Sequence, residues 1–203
     1  MDLFDNLVDP AINLLLRDGT VNYYGAVMPA DTADMYLRRL LDGIAWQNDV
    51  VALYGRRIVT KREVAWYGDR PFDYTYSNST KRALLWTDEL LDLKRLVEQQ
   101  SAETYNSCLL NLYPDGSAGM GWHSDAEKEL QENGAIASLS LGAARRFDFR
   151  HKQTKETVSV TLPHGSLLIM KAPTQSHWAH RLPISRKIST PRINLTFRTV
   201  VDR

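Results

Sequence analysis

Cysteine is almost missing from this chain. Cys108 is the only one in 203 residues, which excludes an intrachain disulfide and a cysteine-rich zinc site. It sits in the apolar run CLLNLY and reads as a small core residue. A chain without disulfides suits a reducing compartment, so a cytoplasmic location, or a nuclear one in a eukaryote, is the expectation. An excess of one charge is missing too. The formal net charge is +1, so a nucleic-acid partner would have to be met by a local basic patch. The segment MDLFDNLVDP is acidic, with no basic stretch leading into an apolar core, and no apolar run is long enough to span a bilayer. Neither a secretory signal nor a membrane partner is expected. The Gly-rich PDGSAGMG is not a phosphate loop, because no Lys-Ser/Thr and no helical pattern follow it.

What is present is enough for a core: 43% of the residues are hydrophobic. The length suits one domain over 1–203. Residues 1–45 read as an N-terminal extension, with a short strand in VNYYGAVM and a helix over about 32–45 capped by Asp31. Thr87 is placed to cap a second helix, DELLDLKRLVEQQ, with Asp88 and Glu89 in its first turn. From Tyr105 onward the pattern changes to short strands: SCLLNLY, AIASLSLG, RRFDFRHK, TVSVTLP, GSLLIMK and RINLTFRTV. Two helices followed by many strands predict an α+β protein. Its catalytic half, 105–203, would be a double-stranded β-helix, or jelly roll.

Residues 46–80 have another character. Arg56, Arg57, Lys61 and Arg62 lie among Tyr54, Trp66, Tyr67, Phe72, Tyr74 and Tyr76. The ordinary reading is a hairpin with a solvated basic face. The functional one is a nucleotide-recognition hairpin, with cations for phosphates and rings for bases.

The chemistry centres on NLYPDGSAGMGWHSD. Side chains two apart on a strand share a face, so His123 and Asp125 project together. They make two parts of a 2-His-1-carboxylate triad, the arrangement that leaves open positions on Fe(II). The third ligand has to come from far downstream, and HWAHRLP offers His177 or His180. Two His and one carboxylate also suit a zinc hydrolase. The arginine-bearing strand PRINLTFR favours iron with an organic-acid co-substrate, since a zinc site needs no bound carboxylate.

The segments NLYPDGSAGMGWHSDAEKEL, IASLSLGAARRFDFRHK, HGSLLIM, HWAHRLP and PRINLTFR together resemble the AlkB family of Fe(II)/2-oxoglutarate dioxygenases. These are oxidative nucleic-acid demethylases, and the chain looks most like their DNA-repair branch. The resemblance runs from about Tyr54 to Val200. It implies Fe(II) held by His123, Asp125 and His180, leaving His177 as a neighbour. It implies 2-oxoglutarate bound at its distal carboxylate by Arg192, helped by Asn194 and Tyr113, with Arg198 and Asn111 near the other end; Thr196 shares the strand parity of Arg192 and Asn194 and is expected to line the same pocket. For the substrate it implies Tyr74, Tyr76 and Ser77 around a flipped base, Glu127 near the base edge, Tyr54 as a duplex wedge and Arg62 at the pocket rim. The reaction implied is O2-dependent removal of N-methyl groups, of the 1-methyladenine and 3-methylcytosine type, as formaldehyde. DNA is the expected substrate, RNA a further candidate, and a monomer the expected state. Ala126 departs from the pattern, standing where the branch usually has an acidic residue. The rival is an Fe(II)/2-oxoglutarate oxygenase acting on protein, lipid or a small molecule, and the basic-aromatic segment argues against it.

Overall fold

The computed structural model describes residues 8–53, 56–76 and 79–201. Strand β1 (Thr20–Ala26) leads into helix α1 (Ala30–Gly43), then β2 (Gln47–Leu53) and β3 (Arg56–Gly68). Two short strands, β4 (Asp73–Tyr76) and β5 (Ser79–Arg82), form a hairpin, and β6 (Leu84–Leu85) precedes helix α2 (Asp88–Ser101). Then come β7 (Ser107–Tyr113), β8 (Met120–His123), β9 (Ile136–Gly142), β10 (Arg145–His151), β11 (Thr157–Leu162) and β12 (Ser166–Lys171). The single-turn helix α3 (Thr174–His177) leads to β13 (Trp178–Leu182) and β14 (Arg192–Arg198).

Among the described residues the strands form a major sheet, ordered β1-β12-β9-β14-β7-β3-β2 with β6 beside β3, and a minor sheet, ordered β11-β10-β13-β8. Every ladder is antiparallel except the short β3–β6 pairing. This is the jelly roll expected from the strand pattern. The segments ahead of 105 join it: β1 forms one edge of the major sheet, and β3 pairs with β7.

Both helices cover the outer face of the major sheet, as their spacing dictates. In α1, Ala33, Tyr36, Leu37, Leu40 and Leu41 recur every three or four residues, and in α2 so do Leu90, Leu93 and Val97. They pack on Cys108, Leu110, Leu139, Leu141, Ile193, Leu195 and Phe197. Thr87 caps α2 as expected, accepting from the Leu90 amide. Asp31 does not cap α1. The helix starts two residues earlier, after Pro29, and the Asp31 carboxylate accepts from the adjacent Thr32 amide at 2.7 Å. Cys108 is fully buried, and burial pushes its thiol far up, so it is an inert core residue.

Strand parity then decides what faces inward between the sheets. On β14, Ile193, Leu195 and Phe197 enter the helix-side core, so Arg192, Asn194, Thr196 and Arg198 face the minor sheet. On β7 the same alternation turns Leu109, Asn111 and Tyr113 inward, and on β9 it turns Ser138 inward. A second apolar cluster, including Phe147, Phe149, Leu168, Met170, Trp178 and Leu182, fills the rest of the space between the sheets.

Candidate active site

A cavity of about 370 Å³ opens between the two sheets, and β3, β7, β8, β9, β13 and β14 line it. That volume lies in the usual range for small-molecule sites. At one end, β8 and β13 pair so that His123 stands opposite His180, and their Nε2 atoms are 3.1 Å apart. Asp125 Oδ1 lies 3.8 Å from the first and 4.0 Å from the second. Donors about 2.1 Å from one metal at right angles would be about 3 Å apart, so a small contraction would fit all three to an ion.

The tautomers fit as well. His123 Nδ1 lies 2.8 Å from the Gly121 carbonyl. A carbonyl accepts only, so Nδ1 carries the proton and the Nε2 lone pair faces the triad. Burial pushes the His180 imidazole down to about 4, even with Asp125 beside it. The ring is therefore neutral and available as a ligand at neutral pH. Burial also opposes ionisation of Asp125, but His180, Arg198 and His123 outweigh it and hold the carboxyl below its usual range. The Phe147 ring stacks on His180, with centroids 5.4 Å apart.

Asp125 does not share the strand with His123. Strand β8 ends at His123, and the next residues are tied down from outside. The Ser124 hydroxyl donates to the Trp178 carbonyl, and the Asp125 amide donates to Gln175 Oε1, each at 2.9 Å. The carboxylate is thus placed by α3 and β13 rather than by strand parity.

The other end of the cavity is cationic. Arg192 is 1% exposed, and its Nη2 donates to Ser140 Oγ at 2.9 Å. Its Nε is buried without a hydrogen-bond partner, and no carboxylate pairs with it among the described residues. Burial pulls its pKa down to about 10, which still leaves it charged at neutral pH. Tyr113 supports it, with the guanidinium 5.5 Å from the ring centroid. A buried, hydrogen-bond-poor guanidinium is costly unless an anion joins it. A dicarboxylate reaching from the triad towards Arg192 fits that demand. Asn194 is fixed by donation to Ser138 Oγ at 2.8 Å, and the Thr196 hydroxyl donates to Asn194 Oδ1 at 3.3 Å. Asn111 Oδ1 is buried and unpartnered at the cavity wall. Arg198 donates to Glu127 Oε1 at 3.4 Å, so these two line the cavity as an ion pair.

Of the remaining sequence candidates, Arg62 is buried at the rim and bonded to Asp49 Oδ2 at 2.6 Å. Tyr74 and Tyr76 sit on β4, in register with Lys81 and Ser79. Tyr54 and Ser77 lie outside the described residues. His164 is structural, its Nδ1 accepting from the Gly142 amide at 2.7 Å. His151, His177 and Asp18 form a second group whose donor atoms come close together. There His151 Nδ1 accepts from the Thr154 amide, so Nε2 carries the proton and is no metal ligand.

Several residues in or behind the cavity wall were not singled out from sequence. Trp66 and Val64 share a face of β3 with Arg62, and period-two parity would have found them. Ser138 and Ser140, which anchor Asn194 and Arg192, follow the same logic on β9. Arg145 has no such signal. It is 2% exposed and donates to the Ala118 and Pro183 carbonyls at 2.9 and 2.8 Å, fastening the loop ahead of β8.

A family model described as the 2OG-Fe(II) oxygenase superfamily matches residues 20–198. The mouse protein named DNA oxidative demethylase ALKBH2 is 35% identical over 207 residues, covering 97% of this chain and 87% of that protein. The chain belongs to the AlkB family of Fe(II)/2-oxoglutarate dioxygenases. Human DNA oxidative demethylase ALKBH2 is 39% identical to this AlkB-family chain, over 74% of the chain and 61% of the human protein. Mouse alpha-ketoglutarate-dependent dioxygenase alkB homolog 3 is 37% identical, over 87% of the chain and 65% of that protein. The chain therefore spans under two thirds of the length of these last two. The solved structure of OsALKBH1 superposes with a TM-score of 0.63 at 17% identity, covering 91% of this chain and all of that one, which supports the fold. As an AlkB-family enzyme it uses Fe(II) and 2-oxoglutarate, and the converging triad and the unpaired Arg192 match that pair of cofactors.

Proposed function

We propose that this chain is an oxidative demethylase of N-alkylated bases in DNA. The substrate type is 1-methyladenine and 3-methylcytosine, with RNA as a second substrate. The carrying observation is the cavity itself, with a metal-ligand triad at one end and an unpaired buried guanidinium at the other. The relatives named DNA oxidative demethylase support the substrate class.

In this reading His123, Asp125 and His180 hold Fe(II). Arg192 binds the distal carboxylate of 2-oxoglutarate, with Asn194 and Tyr113 positioning it, and Arg198, Asn111 and Thr196 serve the end nearer the metal. Bound Fe(II), with 2-oxoglutarate and O2, supplies the oxidising power that converts N–CH3 to N–CH2OH, giving succinate and CO2. The hydroxymethyl group then leaves as formaldehyde. Trp66, Leu109, Leu130, Val200 and Phe147 provide apolar walls that exclude water around the target methyl group. The Glu127 carboxylate favours the cationic lesions over neutral bases. Arg62, at the cavity rim, serves the base side in this reading, and Tyr54, Tyr74, Tyr76 and Ser77 are assigned to substrate contact with it. The enzyme works as a monomer in the compartment that holds the DNA, and no described helix is long and apolar enough to cross a membrane.

The test is a mass-spectrometric assay with Fe(II), ascorbate, 2-oxoglutarate and air. Oligonucleotides carry one 1-methyladenine or 3-methylcytosine, as DNA or RNA, single- or double-stranded. Loss of one methyl group with matching succinate, absent in His180→Ala, is expected. Succinate formation indifferent to every oligonucleotide would reject the nucleic-acid substrate and favour an oxygenase of another substrate.

A further inference from the structure

The first part of the chain has no place in the proposed reaction, yet the turn over residues 13–20 is built to a fixed shape. Asn13 ties it together. Its Oδ1 accepts from the Leu15 amide at 3.1 Å and the Val21 amide at 2.8 Å, and its Nδ2 donates to the Gly19 carbonyl at 2.8 Å. Leu15 turns inward and joins Phe149, Leu168 and Trp178 in the apolar cluster between the sheets.

The turn also reaches the two residues that bound α3. The Thr20 amide donates to Thr174 Oγ1 at 2.9 Å, and the Thr174 hydroxyl donates back to the Thr20 carbonyl at 3.0 Å. The Trp178 indole donates to the Arg17 carbonyl at 3.0 Å. Asp18 Oδ2 lies 3.3 Å from Nε2 of the buried His151, which stands opposite Trp178 in the β10–β13 ladder. Gly19 makes the fit close, since an added Cβ would meet Thr174 Oγ1 and Trp178 Cδ1, each at 3.1 Å. Thr174 and Trp178 are both fully buried.

Helix α3 needs such support. A single turn, Thr174–His177, does not hold its shape alone, because a first turn fixes several residues in return for one hydrogen bond. Thr174 opens that turn and Trp178 follows it, so the 13–20 segment grips α3 at both ends. Between the two grips stands Gln175, whose Oε1 holds the Asp125 amide, while the Trp178 carbonyl holds the Ser124 hydroxyl.

We propose that the 13–20 turn positions the metal carboxylate, with Thr174 and Gln175 as positioning residues for Asp125. The proposal rests on Asp125 being a metal ligand, as the proposed function has it. Close-packed interiors transmit a displacement rather than absorb it. Loss of the Thr174 hydroxyl would strand the Thr20 amide and carbonyl and release the start of α3. Gln175 would then shift, and the Asp125 carboxylate would leave the point on which the two imidazoles converge. The turn does this without touching metal, co-substrate or base.

The test is anaerobic titration of the metal-free full chain with Fe(II), and with Co(II) followed by its visible absorption. Asp125→Ala sets the scale. Gln175→Met keeps the length of the side chain and removes the acceptor; it is expected to weaken metal binding by about tenfold and to change the Co(II) spectrum. Thr174→Val should weaken binding by about fivefold, the worth of a hydrogen bond or two. Thr174→Ser keeps the hydroxyl and should bind as the wild type does. Asn13→Ala, at an exposed position, should give a loss in the same direction without disturbing the core. The double variant Thr174→Val/Gln175→Met should bind no more weakly than Gln175→Met alone, because both act through one contact. At saturating metal the affinity for 2-oxoglutarate should stay within about twofold of wild type in all of these. Losses that multiply in the double variant would overturn the proposal, as would wild-type metal affinity in both Thr174→Val and Asn13→Ala. An equal loss of 2-oxoglutarate affinity would overturn it too, by showing a general loosening of the fold. Wild-type metal affinity in Asp125→Ala would bring down the ligand assignment first.

Discussion

His123 and His180 are direct cross-strand partners, 57 residues apart in sequence and 3.1 Å apart at their Nε2 atoms. Two imidazole lone pairs aimed at one point repel unless a proton or a cation lies between them. Substituting Ala for His180 is therefore expected to abolish tight metal binding, by about 100-fold or more, and demethylation with it. Anaerobic titration with Fe(II), or with Co(II) as a spectroscopic substitute, measures the first loss, and formaldehyde release measures the second. Retention of wild-type metal affinity would move the metal elsewhere.

Arg192 carries the second prediction. Its guanidinium is buried and without a carboxylate partner among the described residues. Arg192→Met should raise the KM for 2-oxoglutarate by about 10- to 100-fold, the loss of about 1.5–3 kcal/mol from charge-assisted hydrogen bonds. The KM for the oligonucleotide should hardly move. The same variant should be no less stable than the wild type, because an apolar side chain replaces an unpaired buried charge. Thermal unfolding without 2-oxoglutarate checks that sign.

Gly142 supplies a third. It has φ +91° and faces Arg192 across the β9–β14 ladder, where an added Cβ would collide with the Pro191 carbonyl. Gly142→Ala should cost about 1–3 kcal/mol from the backbone conformation alone. It should also raise the KM for 2-oxoglutarate by displacing Arg192. Steady-state kinetics beside a melting curve would separate the two effects, and an unchanged KM would show that the strand absorbs the collision.

Acid should destabilise the metal-free protein through His180. Its folded-state pKa, about 4, lies below the ordinary 6.5. Above about pH 6.5 both folded and unfolded rings are neutral, and the favourable contribution is complete. As the pH falls from there to about 4, the unfolded chain takes up a proton that the folded chain refuses, so up to about 3 kcal/mol is lost. Urea unfolding of metal-free protein at pH 7, 5.5 and 4.5 should show the decline. His180→Gln should flatten it.

How much of this was legible in the sequence depends on the range of the signal. The polar face of β14 could be read from parity alone, because Arg192, Asn194, Thr196 and Arg198 alternate with Ile193, Leu195 and Phe197 in one strand. The α2 cap at Thr87 was equally local. Asp125 was expected on the right face for the wrong reason. Its place depends on Gln175 and Trp178, some fifty residues away, which no local pattern announces. Arg145 looked like any strand arginine, because the Ala118 and Pro183 carbonyls it holds belong to separate loops. Asp49 stayed hidden for a similar reason, since only the folded β2–β3 ladder shows that it faces Arg62.

The alternation along β14 has one more consequence. Its two faces serve two masters, helix-side packing and the organic-acid pocket, and they are locked together by single-residue offsets. Deleting one residue within 193–197 would turn guanidinium and amide groups into the packed interior and leucine and phenylalanine into the pocket. Such a frame error could not be repaired by a neighbouring loop, because β14 is hydrogen-bonded on both sides, to β7 and β9. The strand can vary by substitution but not by length. Insertions and deletions among relatives should therefore gather in the turns around it, and an engineered change of chain length there should lose fold and cofactor binding in the same step.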